Sequence, residues 1–280
     1  MKKRSTIIRH RVISTIITVL IGLWCLFPVV WIVITSVKPL GTEYRIPVEY
    51  WPEQPTLDNY RTVLGERFTI QRSMVNSVIV STGAVVGTLI LSTLSAYAIA
   101  RMKFRFRFST LYLMQIAGMI PPIMVIAPTF VLMRSLGLLR THWAMIIPNM
   151  IYALPLSSFL IASYFANVSY ELEDAARIDG AGTITTIIRI ILPIAAPGIF
   201  SAGVLAFLGS WGEFMLANTV SLGSAAVETV PVAVLSFSRA FNLQWGWVSA
   251  GTVISILPIM IAILFLQRVV VTGLSSGGSK

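Results

Sequence analysis

Few residues of this chain have the types and spacing that chemistry needs. Cys25 is the single cysteine, so no disulfide can form within the chain. His10 and His142 lie far apart and have no cysteine near them, which argues against a metal site. No lysine is followed by serine or threonine, so the phosphate-cradling pattern G-x-x-x-x-G-K-[S/T] is absent. Gly273-Leu-Ser275-Ser-Gly277 satisfies G-x-S-x-G, but it occupies the last few residues with no strand before it and no helix after it. No catalytic residue and no resident cofactor are therefore assigned.

Charge and special backbone chemistry concentrate in segment 169–193. Ser169 can cap a helix whose first turns hold Glu171, Glu173 and Asp174, acids favoured near the positive end of the helix dipole. Gly180 and Gly182 then permit a bend. Ile184, Ile187, Ile188, Ile191 and Leu192 recur with helical spacing, opposite Thr183, Thr185, Thr186 and Arg189. This pattern predicts a second helix lying along a membrane surface until Pro193 turns it. Apart from that segment, Glu213 is the one acid inside a long apolar run, where an ionised carboxylate costs about 2.5–3.5 kcal/mol even on insertion scales. Two roles stay open for it: lining a polar pathway, or joining helices by hydrogen bonds. Asn149 and Gln115 pose the same choice, and Trp211 either stacks on a solute ring or packs.

The elements that position these residues are membrane helices. The chain is 56% hydrophobic and only 11% charged. Runs long enough to cross a hydrocarbon core of about 30 Å occur at 12–36, 74–100, 109–133, 143–165, 197–220 and 247–271. The first follows a basic stretch but is too long for a cleaved signal, so it reads as a retained span. An even number of spans puts both termini on one side. Lys2, Lys3, Arg4, Arg9 and Arg11, together with Arg101, Lys103, Arg105 and Arg107, place that side in the cytosol. The net charge of +10 is thus an orientation signal and not a nucleic-acid one. Prolines 28, 121, 122, 128, 148, 155, 197 and 258 fall in or beside spans, where they kink helices for packing or open backbone toward a wet path. Gly83 and Gly87 form a helix-packing pair in the second span. The stretch 222–244, with Pro231 and Arg239, reads as an external connection.

Against this background Asp174-Ala175-Ala176, then Gly180, then Ile190-Ile191-Leu192-Pro193 resembles the cytosolic "EAA" loop of ABC importer permeases. The pattern there is E-A-A, three residues, G, nine residues, I-x-L-P. The spacing agrees throughout; Asp174 replaces the usual glutamate, with Glu173 just before it. Looser likenesses point to the shorter permease of maltose-type carbohydrate importers: Ser36-Val-Lys38-Pro39, Glu43, Pro47, Pro52 and Thr56-Leu-Asp-Asn-Tyr60, Asn76-Ser77, Trp211-Gly-Glu213-Phe214, and the tail Gly273 to Gly277.

The resemblance implies an all-α polytopic protein with the type I ABC importer permease fold, one permease domain over 1–280 with a cytosolic tail at 272–280. It implies a bacterial inner-membrane location and half of a pathway for a sugar, a di- or oligosaccharide above all. A polyol or glycerol-phosphate-like solute is the alternative, and an ion-coupled secondary transporter a more remote one. The partners implied are a second homologous permease, two ATPase subunits that bind ATP and magnesium, an extracytoplasmic solute-binding protein and lipid. Glu173, Asp174, Ala175, Ala176, Asp179, Gly180, Ile190, Leu192 and Pro193 would couple to the ATPase. The loop at 222–244 would approach the binding protein, and the tail the ATPases.

Overall fold

A computed structural model describes residues 2–65, 70–237 and 244–277, with side chains over 11–65, 70–237 and 244–264. Arg239 and Lys280 lie outside the described residues, as do the side chains of the basic N-terminal cluster up to Arg9 and of the C-terminal tail. Among the described residues the chain is helical and has no strand. The helices are α1 (Lys2–Ser36), α2 (Asp58–Leu64), α3 (Ile70–Arg101), α4 (Arg107–Gly118), α5 (Pro122–Ser135), α6 (Trp143–Ala166), α7 (Tyr170–Ile178), α8 (Thr183–Thr186), α9 (Leu192–Ile194), α10 (Ala196–Trp211), α11 (Met215–Ser221), α12 (Val230–Ser236) and α13 (Trp245–Gly277). A π-helical turn, Ile187–Ile191, joins α8 to α9.

Of these, α1, α3, α6 and α13 are long and apolar enough to cross a membrane unaided. The remaining two expected spans are broken. The third, expected at 109–133, is α4 and α5 bent by 94°, because Pro121 is extended and Pro122 starts a new helix without needing its missing N–H. The fifth, expected at 197–220, stops at Trp211 and restarts at Met215. The expected external connection at 222–244 is not a plain loop, since it holds α12 and buries Val227, Val230, Val232 and Ala233.

The chain divides into two compact units: Met1–Ile70 with Val234–Ile256, and Gln71–Ala233 with Leu257–Lys280. In the first, Asn59 ties down the end of α1, its amide donating to the carbonyls of Ser36 at 3.0 Å and Lys38 at 2.7 Å. Val63, Ile70, Phe237 and Ala250 form the small core there. A Cβ on Gly246 would lie 2.7 Å from the Asn59 amide, so only glycine lets α13 begin there.

In the second unit α3 and α6 meet through small residues. A Cβ on Gly83 would lie 2.9 Å from Ile146, and Gly87 abuts Met150. Ser95 and Ser158 share a hydrogen bond of 2.8 Å across this seam. Lipid tails are as apolar as leucine, so close backbone approach and interhelical hydrogen bonds hold such pairs where hydrophobic burial gives little. Asn76 and Ser77 form the second fixed point. The Asn76 amide donates to the carbonyls of Ala226 (3.2 Å) and Glu228 (3.0 Å), and Ser77 Oγ accepts from the Val230 amide at 2.9 Å. Segment 226–230 is thereby pinned to the start of α3.

With both amide protons of Asn76 engaged, its Oδ1 must accept, and His142 Nε2 donates to it at 2.9 Å. Burial, and after it the Arg72 charge, hold the His142 pKa below its ordinary value. The native state therefore takes up its proton later than the unfolded chain as pH falls, and stability present above about pH 6.5 is lost progressively below it. Thermal melts in detergent should show a midpoint that is level from about pH 7 to 8 and declines below about 6.5. His142→Gln should lower the midpoint but remove most of that acid slope; an unchanged slope would assign it to other groups.

Candidate functional site

Two arrangements bring the chemistry-bearing residues together, both within the second unit. The first is built on α7. Ser169 accepts a hydrogen bond from the Glu171 amide at 3.2 Å and starts the helix as its spacing predicts. The helix ends in a Schellman motif: the Gly180 amide donates to the Arg177 carbonyl (3.0 Å) and the Ala181 amide to the Ala176 carbonyl (2.9 Å), with Gly180 at φ +81°. A β-carbon at Gly180 would meet no atom within 4 Å, so backbone conformation, and not space, demands glycine there.

The two acids at the head of the motif separate by one residue onto opposite faces. Asp174 is exposed and pairs with Arg177 at 3.5 Å. Glu173 is buried, paired with Arg101 Nε at 2.9 Å and accepting from Tyr97 Oη at 3.4 Å. Arg101 also donates to the Val168 carbonyl at 2.6 Å and lies over the Tyr170 ring. Glu173 therefore anchors α7 to the end of α3 and is no surrogate for Asp174. Ala176 is buried as well, whereas Ala175, Ile178 and Asp179 are exposed, Ile178 to 86%. The expected contact pair of alanines thus divides: Ala176 packs inward and Ala175 faces out.

The second arm departs from its predicted single stripe. Ile187 and Ile191 are buried in a cluster with Ala96, Tyr97, Ile161, Phe165 and Ala202, and Leu192 packs against it. Ile184 and Ile188 instead are exposed. A π-helical turn over Ile187–Ile191 also interrupts the 3.6-residue period there. Ile190 is half-buried, and Pro193 is exposed in the first turn of α9. The chain turns by 83° into α10, and the break falls at Ala195 and not at Pro193.

The second arrangement is a cavity of about 300 Å³. Pro122, Asn149, Tyr152, Leu205 and Glu213 are among its lining residues, along with Ser157, Ser210 and Leu216. It adjoins both helix breaks, through Pro122 at the head of α5 and Glu213 before α11. Glu213 Oε1 accepts from the Leu216 amide (2.7 Å) and Oε2 from the Ala217 amide (2.9 Å). The carboxylate thus caps α11 with both oxygens while bordering the cavity. Asn149 donates to the Met145 carbonyl at 2.9 Å. Tyr152 Oη and Ser210 Oγ are buried with no hydrogen-bond partner among the described residues.

Two of the four residues expected on a pathway, Glu213 and Asn149, share this cavity; the other two do not line it. Trp211 is buried and stacks on Phe207 with ring centroids 5.4 Å apart. Gln115 donates to the Pro155 carbonyl at 2.8 Å, bridging α4 to α6. Tyr152, Ser157 and Ser210 were not expected. The available signal was helical spacing: Tyr152 follows Asn149 by three residues, and Ser210 precedes Glu213 by three, so each shares a face with the neighbour already singled out.

Comparisons with known proteins identify the family of this chain. Residues 89–276 match the family described as the binding-protein-dependent transport system inner membrane component. The chain is 34% identical to the trehalose/maltose transport system permease protein of Thermococcus litoralis, over 96% of this chain and 97% of that one. It is also 34% identical to the sulfoquinovosyl glycerol transport system permease protein of Agrobacterium fabrum, covering 91% and 89%. Its fold resembles that of a bacterial ABC transporter involved in the import of the acidic polysaccharide alginate, with a TM-score of 0.78 at 21% identity over 92% of this chain and 95% of that one. With a family match over most of its length and relatives alike from end to end, this chain belongs to the binding-protein-dependent transport system inner membrane components, as a multi-pass permease subunit of an ABC importer and not an enzyme.

Proposed function

We propose that this chain forms one half of the translocation path for a sugar, with the cavity at Asn149, Tyr152, Ser210 and Glu213 as its solute-facing surface and α7 as the knob that engages a separate ATPase. The observation that carries the solute reading is the pair of buried, unpartnered hydroxyls on Tyr152 and Ser210, set among apolar walls beside a fixed carboxylate. Such a surface offers hydrogen bonds to solute hydroxyls and apolar contact to ring faces. No Lys or Arg is among its described lining residues, which favours a neutral sugar over a glycerol-phosphate-like solute on this half. Relatives named for trehalose, maltose and diacetylchitobiose transport support a di- or oligosaccharide.

The coupling reading rests on exposure. Apolar Ile178 and small Ala175 stand out from a helix held from behind by the Arg101–Glu173 pair, which suits insertion into a cleft on another subunit. The same pair links α7 to the basic stretch Arg101–Arg107, and the positive-inside bias puts that end, with both termini, in the cytosol. In this reading ATP and magnesium act on two partner ATPase subunits, a second permease completes the path, and a soluble binding protein delivers the solute.

Ile178→Glu should leave the protein inserted and folded, yet cut both uptake and co-purification of the ATPase by about tenfold or more, the equivalent of ~1.4 kcal/mol of contact. Normal uptake at normal expression would sink the docking claim. Arg101→Met should instead destabilise the fold by about 3–5 kcal/mol, because it strands a buried carboxylate, and pairing it with Glu173→Leu should restore part of the loss. Thermal unfolding distinguishes that anchoring role from docking.

For the cavity, Tyr152→Phe and Ser210→Ala remove hydroxyls that bond nothing among the described residues, so melting midpoints should hold or rise while sugar uptake falls. Glu213→Ala should cost about 1–2 kcal/mol of stability as well, since it uncaps α11. Unchanged uptake in both hydroxyl variants would take the cavity off the path.

A further inference from the structure

The first unit contains a second cavity, of about 390 Å³, that no part of the transport reading uses. It lies where α1 gives way to the polar segment that follows, lined by Trp31, Ile32, Thr35, Lys38, Glu43 and Trp245 among others. Its charges are disposed unusually. Lys38 is 3% exposed, and its ammonium donates to the Glu49 carbonyl at 2.5 Å and lies 4.8 Å from the Trp31 ring centroid. Glu43 has both carboxylate oxygens buried, and neither has a hydrogen-bond partner among the described residues. Thr35 Oγ1 is likewise buried without one. Nearby Glu49 by contrast accepts from the Glu53 amide at 2.7 Å.

An ionised carboxylate removed from water with no donor is strongly disfavoured, so Glu43 calls for a partner rich in N–H or O–H groups. Lys38 carries more N–H groups than its one carbonyl uses, and these call for an acceptor, best an anionic one. The complement to both is a zwitterion with a primary ammonium and a phosphate a short spacer apart. Depth in the bilayer selects its source. The span in α1 has no residue buried within the chain through its most apolar stretch, with Trp24 81% exposed and Phe27 62%. The cavity sits at the polar end of that surface and is bordered by two tryptophans, the residues that favour headgroup depth.

We propose that this cavity binds the headgroup of a phosphatidylethanolamine-type lipid, its ammonium on Glu43 and its phosphate on Lys38, with the acyl chains along the exposed face of α1. A phosphatidylcholine headgroup has no N–H to give Glu43, and a phosphatidylglycerol headgroup has no ammonium, so the site discriminates among common bilayer lipids by hydrogen-bond donors and not by bulk charge. The assignment does not depend on which solute the importer carries.

The test uses the assembled importer reconstituted in nanodiscs holding equal parts of phosphatidylethanolamine, phosphatidylcholine and phosphatidylglycerol with identical acyl chains. After re-extraction in mild detergent, lipids that stay with the protein are quantified by mass spectrometry. Wild type should retain phosphatidylethanolamine about tenfold over its bulk share, ~1.4 kcal/mol, and Glu43→Gln, which breaks no bond within the chain, should return all three lipids to parity at unchanged melting temperature. Equal retention of phosphatidylcholine in wild type, or an unchanged lipid profile in Glu43→Gln, overturns the proposal. So does loss of the second permease from Glu43→Gln with the lipids unaltered, which would make Glu43 a subunit contact. Binding of a soluble disaccharide or phosphoethanolamine at this cavity without lipid enrichment would overturn the lipid assignment too.

Discussion

At membrane depth there is no bulk water to satisfy an opened backbone, and this chain opens its backbone repeatedly. Several of these interruptions are closed by groups from the chain itself. Glu213 holds the amides of Leu216 and Ala217 where α10 and α11 separate. The Met124 amide takes the Pro121 carbonyl at 3.0 Å beyond the bend of α4 and α5. The Ala195 carbonyl accepts from Gly198 and Ile199 at 3.0 and 3.1 Å, just past the turn into α10. These closures let irregular backbone stand beside the cavity without stranding polar groups in lipid, and so the breaks and the candidate solute surface are one feature viewed from two sides.

The same constraint explains why Glu213 bears two readings at once. As a cap it is structural, because both its oxygens hold amides. As a lining residue it borders the cavity with an acceptor whose position those amides fix. The two roles left open for Glu213 are compatible, because a carboxylate oriented by backbone N–H groups is a preorganised acceptor. The hydroxyls of Tyr152 and Ser210 differ from it, since nothing among the described residues bonds to them.

Legibility in the sequence followed the reach of local rules. The Ser169 cap, the Gly180 turn and the four unbroken spans all follow from neighbours within a few residues, and they stand where spacing put them. What failed needed partners distant in sequence. Nothing local distinguishes Glu173 from Asp174; Arg101, 72 positions away, does so by drawing one of them inward. The isoleucine stripe was sound periodicity, but it assumed 3.6 residues per turn where a π-helical turn intervenes. Hydropathy also treated 109–133 and 197–220 as uniform runs, because windowed averages register apolar content and not the phase lost at Pro121 or Gly212. The folded character of 226–236 was hidden for a similar reason: its burial depends on Asn76 and Ser77, some 150 residues earlier.

The division of the two acids has a mechanical consequence. A helix that transmits force needs a face that grips its own domain and a face that grips the partner, and these must not compete for the same residues. On α7 the inward face carries Glu173 and Ala176, fixed by a buried ion pair and by close packing; the outward face carries Asp174, Ala175 and Ile178. The Schellman turn at Gly180 closes this unit, and Ile187 and Ile191 in the next arm join the core shared with Phe165 and Ala202. In the proposed coupling role, a push on the outward face would pass to α3 through Arg101 and to α6 and α10 through the isoleucines. Asp174 in place of glutamate shortens a side chain of the outward face by one methylene and leaves the Arg101–Glu173 anchor intact.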